Sequence, residues 1–335
     1  MSGAVGTWLE VWNWPFEVQV MLPLVLAVAA FARGGARAGG PRRAHDRWRA
    51  ASFYTAVAVL VFAVQSPMDA FSERSFAWHM VQHMLLLLAV PPLAVAGQPW
   101  GRLWAGLPSA VRRGVEQAVG ALVGSSPRSV ERSRAGIRSL VGNSRLMLGV
   151  FAAYLWAMHL PVVFDAALRS GTIHDLEHLG YLVVGTLYWA RAIPSAPFPP
   201  RLAPLPRVGY LLGGLVACWV LGVVLTFASS PLYTPYLHVV GATYSGVMSS
   251  QVTGGAIMWA PSMIPFDILF ALSVQGWLAD SARADSESSG APFDAGAGAP
   301  AEPGMGAPGA LAATSGARPA GDAATSGPGE RAWEF

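Results

Sequence analysis

Histidine is the residue type in this chain whose spacing can do chemistry. Of seven histidines, His79 and His83 stand four residues apart, and so do His174 and His178. Residues at i and i+4 share a helix face, so each pair can present two imidazoles to one point. His159 lies two residues before Pro161, at the end of another apolar segment. Methionines accompany them: Met80 and Met84 follow the first pair, Met158 precedes His159, and Met68 lies upstream. Imidazole suits zinc, copper, iron and nickel, while a thioether adds a preference for Cu(I). One histidine at a helix end is ordinarily an interfacial hydrogen-bonding residue, and one methionine is ordinarily packing. Two i,i+4 pairs and a fifth histidine point instead to a metal or haem site. The expected ligands are His79, His83, His159, His174 and His178, with Met80 and Met84 as soft partners. Asp165, Asp175 and Glu177 lie near these positions and can orient ring nitrogens.

The rest of the inventory excludes other chemistries. All 22 basic residues are arginine. A Walker-type phosphate loop needs its lysine, and Schiff-base or retinal chemistry needs a lysine amine. The single cysteine, Cys218, allows neither an internal disulfide nor a multi-thiolate metal site; in mid-helix among apolar residues it reads as packing.

The elements that must hold the histidines are membrane helices. The chain has 335 residues, 53% hydrophobic and 12% charged, with a mean hydropathy of +0.42. Soluble domains carry roughly 25% charged residues, so this chain lacks the polar surface for water and belongs in a bilayer. Seven apolar stretches, near 16–32, 51–66, 76–97, 146–164, 176–193, 207–228 and 246–272, approach the roughly 20 residues a span requires. Pro261 and Pro265 interrupt the last and predict a kink. No positive residue precedes the first stretch, and Glu10 and Glu17 flank its start, so it is expected to remain as a helix rather than act as a signal peptide.

Arginine placement orients these helices. Connections 33–50, 98–145 and 191–207 hold six, eight and three arginines, whereas 67–75, 165–175 and 229–245 hold only Arg74 and Arg169. Positive charge collects on the cytoplasmic side. The expectation is an all-α, polytopic protein with seven transmembrane helices, N-terminus outside and C-terminus inside. Six histidines then fall on the outer side, His238 included, and His45 on the inner. Tryptophans mark both rims, with Trp8, Trp12, Trp14 and Trp78 outside and Trp48, Trp100, Trp104 and Trp277 inside. Residues 1–280 are expected to form the bundle. Its cytoplasmic connection 98–145 is expected to include an amphipathic helix near 108–123 lying on the membrane. Residues 281–335, of which 38 of 55 are Ala, Gly, Pro or Ser, are expected to form a disordered tail.

At these residues the chain resembles the CtaG family of bacterial cytochrome c oxidase assembly factors. The stretches that carry the resemblance are Ser66-Pro67-Met68-Asp69, Ser75-Phe76-Ala77-Trp78-His79-Met80-Val81-Gln82-His83-Met84-Leu85, Pro91-Pro92-Leu93, Gly97-Gln98-Pro99, Met158-His159-Leu160-Pro161, His174-Asp175-Leu176-Glu177-His178, Tyr188-Trp189, and Gln251 to Gly255 with Met258-Trp259-Ala260-Pro261. The resemblance covers about 10–275. It departs from the family pattern at Met158, where the family commonly has Trp, and at Ser250, where it often has Asp. What the resemblance implies is a non-enzymatic assembly factor in the bacterial plasma membrane that binds copper, as Cu(I), at the outward His/Met cluster. The copper would enter the catalytic subunit of the oxidase, so the expected partners are oxidase subunits, a periplasmic copper carrier and the lipid bilayer, with no nucleic acid. The residues alone leave two alternatives open, a b-type cytochrome with bis-histidine haem and a copper transport or resistance permease.

Overall fold

A computed structural model describes residues 18–37, 44–123, 126–198, 202–260 and 263–289; Trp8, Trp12, Trp14 and most of the expected tail lie outside them. Among the described residues the regular structure is helix, with no strand. In chain order the helices are α1 (Val18–Arg37), α2 (Ala44–Val64), α3 (Pro67–Ser72), α4 (Phe76–Met84), a π-helical turn (Leu85–Ala89), α5 (Val90–Gly97), α6 (Trp100–Gly106), α7 (Ser109–Val123), α8 (Pro127–Gly142), α9 (Ser144–Met158), α10 (Pro161–Arg169), α11 (Gly171–Ala192), α12 (Pro204–Thr226), a 3₁₀ turn (Thr234–His238), α13 (Tyr244–Trp259) and α14 (Met263–Ser289). Met1–Ala279 forms one unit, and Asp280–Phe335 a second, whose described residues are helical.

Five helices are long and apolar enough to cross a membrane: Val20–Arg37, Ala44–Val64, Phe76–Gly97, Pro204–Thr226 and Tyr244–Asp285. A sixth is reached if Arg128–Gly142 and Ser144–Met158, bent by 66° at Asn143, count as one span. The expected seven spans thus compare with five or six helices of that length and apolarity among the described residues. A further helix, α11, has the length of a span but carries His174, Asp175, Glu177, His178 and Arg191. Helix α14 runs to Ser289, so residues 281–289 continue a helix where the composition led us to expect tail.

Proline chemistry explains how α4, the π turn and α5 make one long element. Pro91 and Pro92 have no N–H, so the amide that would bond to the Leu87 carbonyl is missing. The backbone widens into a π turn just before them. Trp189 Nε1 on α11 donates to the stranded Leu87 oxygen at 3.0 Å, which ties α11 to this element. Gly185 sits at the same crossing, where a Cβ would lie 2.8 Å from Pro91 Cγ. Around these contacts lies the core, with Phe151, Tyr181, Tyr188, Trp189, Cys218 and Phe266 fully buried.

Candidate metal centre

Helix α4 is fixed at its start and along its flank. Ser250 Oγ on α13 accepts from Ala77 N–H at 3.1 Å and shares a hydrogen bond with Ser75 Oγ at 2.9 Å. Ser250 is thus an N-terminal cap for the His79/His83 helix, a role its hydroxyl can fill. Buried Gln82 donates to the Ala63 carbonyl at 2.9 Å and to Asp69 Oδ1 at 2.8 Å, which locks α4 against α2 and α3. Gly254 permits the close approach of α13, since a Cβ there would stand 2.5 Å from the Phe76 ring.

Five imidazoles converge from three elements. His79 and His83 come from α4, His174 and His178 from α11, and His159 from the end of α9. Ring centroids lie 4.2 Å apart for His79–His83, 4.0 Å for His174–His178, 5.2 Å for His79–His174, 5.5 Å for His83–His178 and 6.3 Å for His83–His159. Ligand nitrogens of His79, His83 and His174 all fall within 4.8 Å of one another. His159 Nε2 lies 3.4 Å from Met80 Sδ. Met84 and Met158 belong to the apolar packing. His45 and His238 are exposed, away from the cluster.

The hydrogen bonds at the ring edges select the tautomers. A carbonyl only accepts, so the 2.7 Å contact from His159 Nδ1 to Leu155 O makes Nδ1 the protonated nitrogen and turns a bare Nε2 lone pair toward Met80. Tyr236 Oη donates to the Ser72 carbonyl at 3.1 Å and stands 3.1 Å from His79 Nδ1. Burial pushes that phenol well above its ordinary pKa, so it stays a hydroxyl and has spent its single proton. His79 must then donate from Nδ1, which leaves Nε2 free. Orienting a ring through its second nitrogen is how proteins prepare a histidine to bind metal.

Buried nitrogens without hydrogen-bond partners gather here: His79 Nε2, both nitrogens of His83, His174 Nε2 and His178 Nε2. Each unmet buried polar group costs about 1–3 kcal/mol. Several such atoms pointing into one small region fit a cation, which would satisfy them together. The donor set, imidazole with one thioether at hand, matches copper and zinc chemistry.

The segment after α12 covers this cluster, a placement with no signal in residue spacing. Gln251 on α13 accepts from Leu232 N–H at 2.7 Å and donates to the carbonyls of Leu225 and Ser230 at 3.4 and 3.3 Å. That grip delivers Tyr233, which donates to the His159 carbonyl at 3.0 Å, and Thr234, which donates to Asp165 Oδ2 at 2.9 Å. Phe164 fills the space between, 4.8 Å from His79 and 4.1 Å from Tyr233. Asp165 pairs with Arg169, and Asp175 is exposed. Glu177 is buried with its carboxylate 3.8 Å from His83 Nε2.

Proteins similar to this chain come from mycobacteria. Uncharacterized proteins of Mycobacterium bovis and Mycobacterium tuberculosis are each 24% identical over 277 residues, covering 82% of this chain and 40% of theirs. One from Mycobacterium leprae is 22% identical over 274 residues, covering 81% and 40%. The chain thus spans about 40% of the length of these relatives. No solved structure matches it. The profile of the cytochrome c oxidase caa3 assembly factors, Caa3_CtaG, matches residues 25–280, which takes in every element that builds the histidine cluster. The chain belongs to that family.

Proposed function

We infer that this protein carries copper at its histidine cluster and hands it to the catalytic subunit of a cytochrome c oxidase during assembly. One observation carries the reading: five oriented or unpartnered imidazoles gather at one point in a member of an oxidase assembly family. A transfer site works best with few, exchangeable ligands. Imidazoles and a thioether provide that for Cu(I), and the lone thiol, Cys218, is buried in the core. His79, His83 and His174 would hold the ion, with His178, His159 and Met80 next in line and Met84 one turn beyond Met80. Copper is cargo in this account, and the protein acts by binding and release rather than by catalysis.

The same reading sets the protein in the bacterial plasma membrane with seven spans. Helix α11 counts as one because His174, Glu177 and His178 turn inward onto the cluster. Arginine-rich connections 33–50, 98–145 and 191–207 lie in the cytoplasm, and the histidine end faces outward, where a periplasmic copper carrier and the oxidase subunits can meet it. Copper content of tag-free purified protein, read beside its visible spectrum, tests the cluster. The wild type is expected to retain copper without a Soret band, and His83→Ala to lose most of it while still folding. A haem spectrum, or full copper in His83→Ala, would refute the reading.

A further inference from the structure

Among the described residues, Glu177 is the acid that stands within ion-pair distance of a cluster imidazole. It is 3% exposed, and the turn that carries it is pinned: Tyr154 Oη donates to the Glu177 carbonyl at 3.0 Å. Gly180 makes room for that tyrosine, since a Cβ there would lie 1.9 Å from its hydroxyl. Burying a carboxylate is costly unless its charge is met. Arg102, Arg169 and Arg283 pair with Asp46, Asp165 and Asp280 rather than with Glu177. The group facing Glu177 is instead the His83 ring, at 3.8 Å. Tyr181 packs on that ring at 4.6 Å with its hydroxyl toward Glu177, and a phenol can stabilise a carboxylate without neutralising it.

The 3.8 Å separation decides between two roles. A carboxylate that merely orients an imidazole accepts its N–H at roughly 2.7–3.2 Å. Two ligand atoms that each stand about 2 Å from a shared ion lie roughly 3–4 Å apart. Glu177 Oε1 and His83 Nε2 fall in the second range, and neither His83 nitrogen has a hydrogen-bond partner. Resting on the reading of the cluster as a copper site, we propose that Glu177 is itself a metal ligand. With His83 and further imidazoles of the cluster it forms a mixed imidazole–carboxylate site that takes a divalent cation, Cu(II) or Zn(II), as well as Cu(I). A carboxylate oxygen is a hard anionic donor that favours divalent ions, whereas Cu(I) draws on imidazole and thioether. The ion's charge is also what the buried carboxylate lacks.

The test titrates tag-free full-length protein with Co(II), Zn(II) and, under reducing conditions, Cu(I). Wild type is expected to bind one Co(II) with the visible ligand-field bands of a four-coordinate site, displaced by Zn(II). In Glu177→Gln, Co(II) and Zn(II) affinity should fall about 100-fold or more, at or beyond the upper end of what losing an orienting partner costs. Its Cu(I) affinity should change by less than about tenfold. If Glu177→Gln melts well below wild type, Glu177→Asp carries the test, with at least about a tenfold loss of Co(II) affinity expected. Divalent binding unchanged in a folded variant, or divalent and Cu(I) binding lost in equal measure, would overturn the assignment. Wild type that binds Cu(I) but neither Co(II) nor Zn(II) would overturn it while leaving the copper reading intact. Failure to bind any of the three would overturn both.

Discussion

Tyr236 shows how one residue far along the chain decides what His79 can do. Its hydroxyl accepts a hydrogen bond from His79 Nδ1–H while donating to the Ser72 carbonyl, so the free lone pair is on Nε2. Tyr236→Phe removes that acceptor, strands a buried N–H and releases the ring to rotate. We expect a 10- to 100-fold loss of Cu(I) affinity, as for other partners that orient metal ligands, with about 1–3 kcal/mol of stability lost. A competition titration and a thermal melt read the two effects; unchanged affinity would show that the tautomer is set by something else. The histidines were legible because each pair lies within one helical turn. Tyr233 and Tyr236 were not, because they reach the cluster from a connection more than 70 residues from His159 and more than 150 from His79. Nothing in the spacing of a connection announces which ring it will cover. Ser250 was readable only as a missing carboxylate; its role as a cap depends on which helix α13 packs against.

Helices were legible where apolarity alone builds them, as in α1, α2 and α12. Expectation and structure part where polar chemistry interrupts the pattern. The π turn before Pro91 follows from proline's missing donor, yet where the freed Leu87 carbonyl would find Trp189 depended on tertiary packing. The 66° bend at Asn143 is likewise not legible from apolarity, because Arg128–Gly142 is too rich in arginine to read as part of a span. In α7, exposed Val111, Val115, Val119 and Leu122 recur at helical spacing, the amphipathic stripe expected near 108–123. The arginine asymmetry gives the prediction at this scale. Reporters inserted in the α7–α8 connection or fused at the C-terminus should be active only in the cytoplasm, and one placed after Gly241 only outside. A periplasmic signal from the C-terminal fusion would reverse the frame and put the histidine cluster on the wrong side for outward delivery.

For the whole molecule, the elements divide the labour. α2 and α3 lock α4 in place, α11 brings the second histidine pair, α9 ends on the fifth ring, and the segment between α12 and α13 closes over them. Cargo released from such a site must appear in the oxidase, which is where the account is most exposed. The measurement is the copper content of cytochrome c oxidase purified from cells whose only copy of this protein is wild type or His83→Ala, with both variants confirmed at equal level in the membrane. Oxidase from the His83→Ala cells is expected to be present but deficient in copper and activity. Oxidase with full copper and full activity in those cells would contradict the proposed delivery.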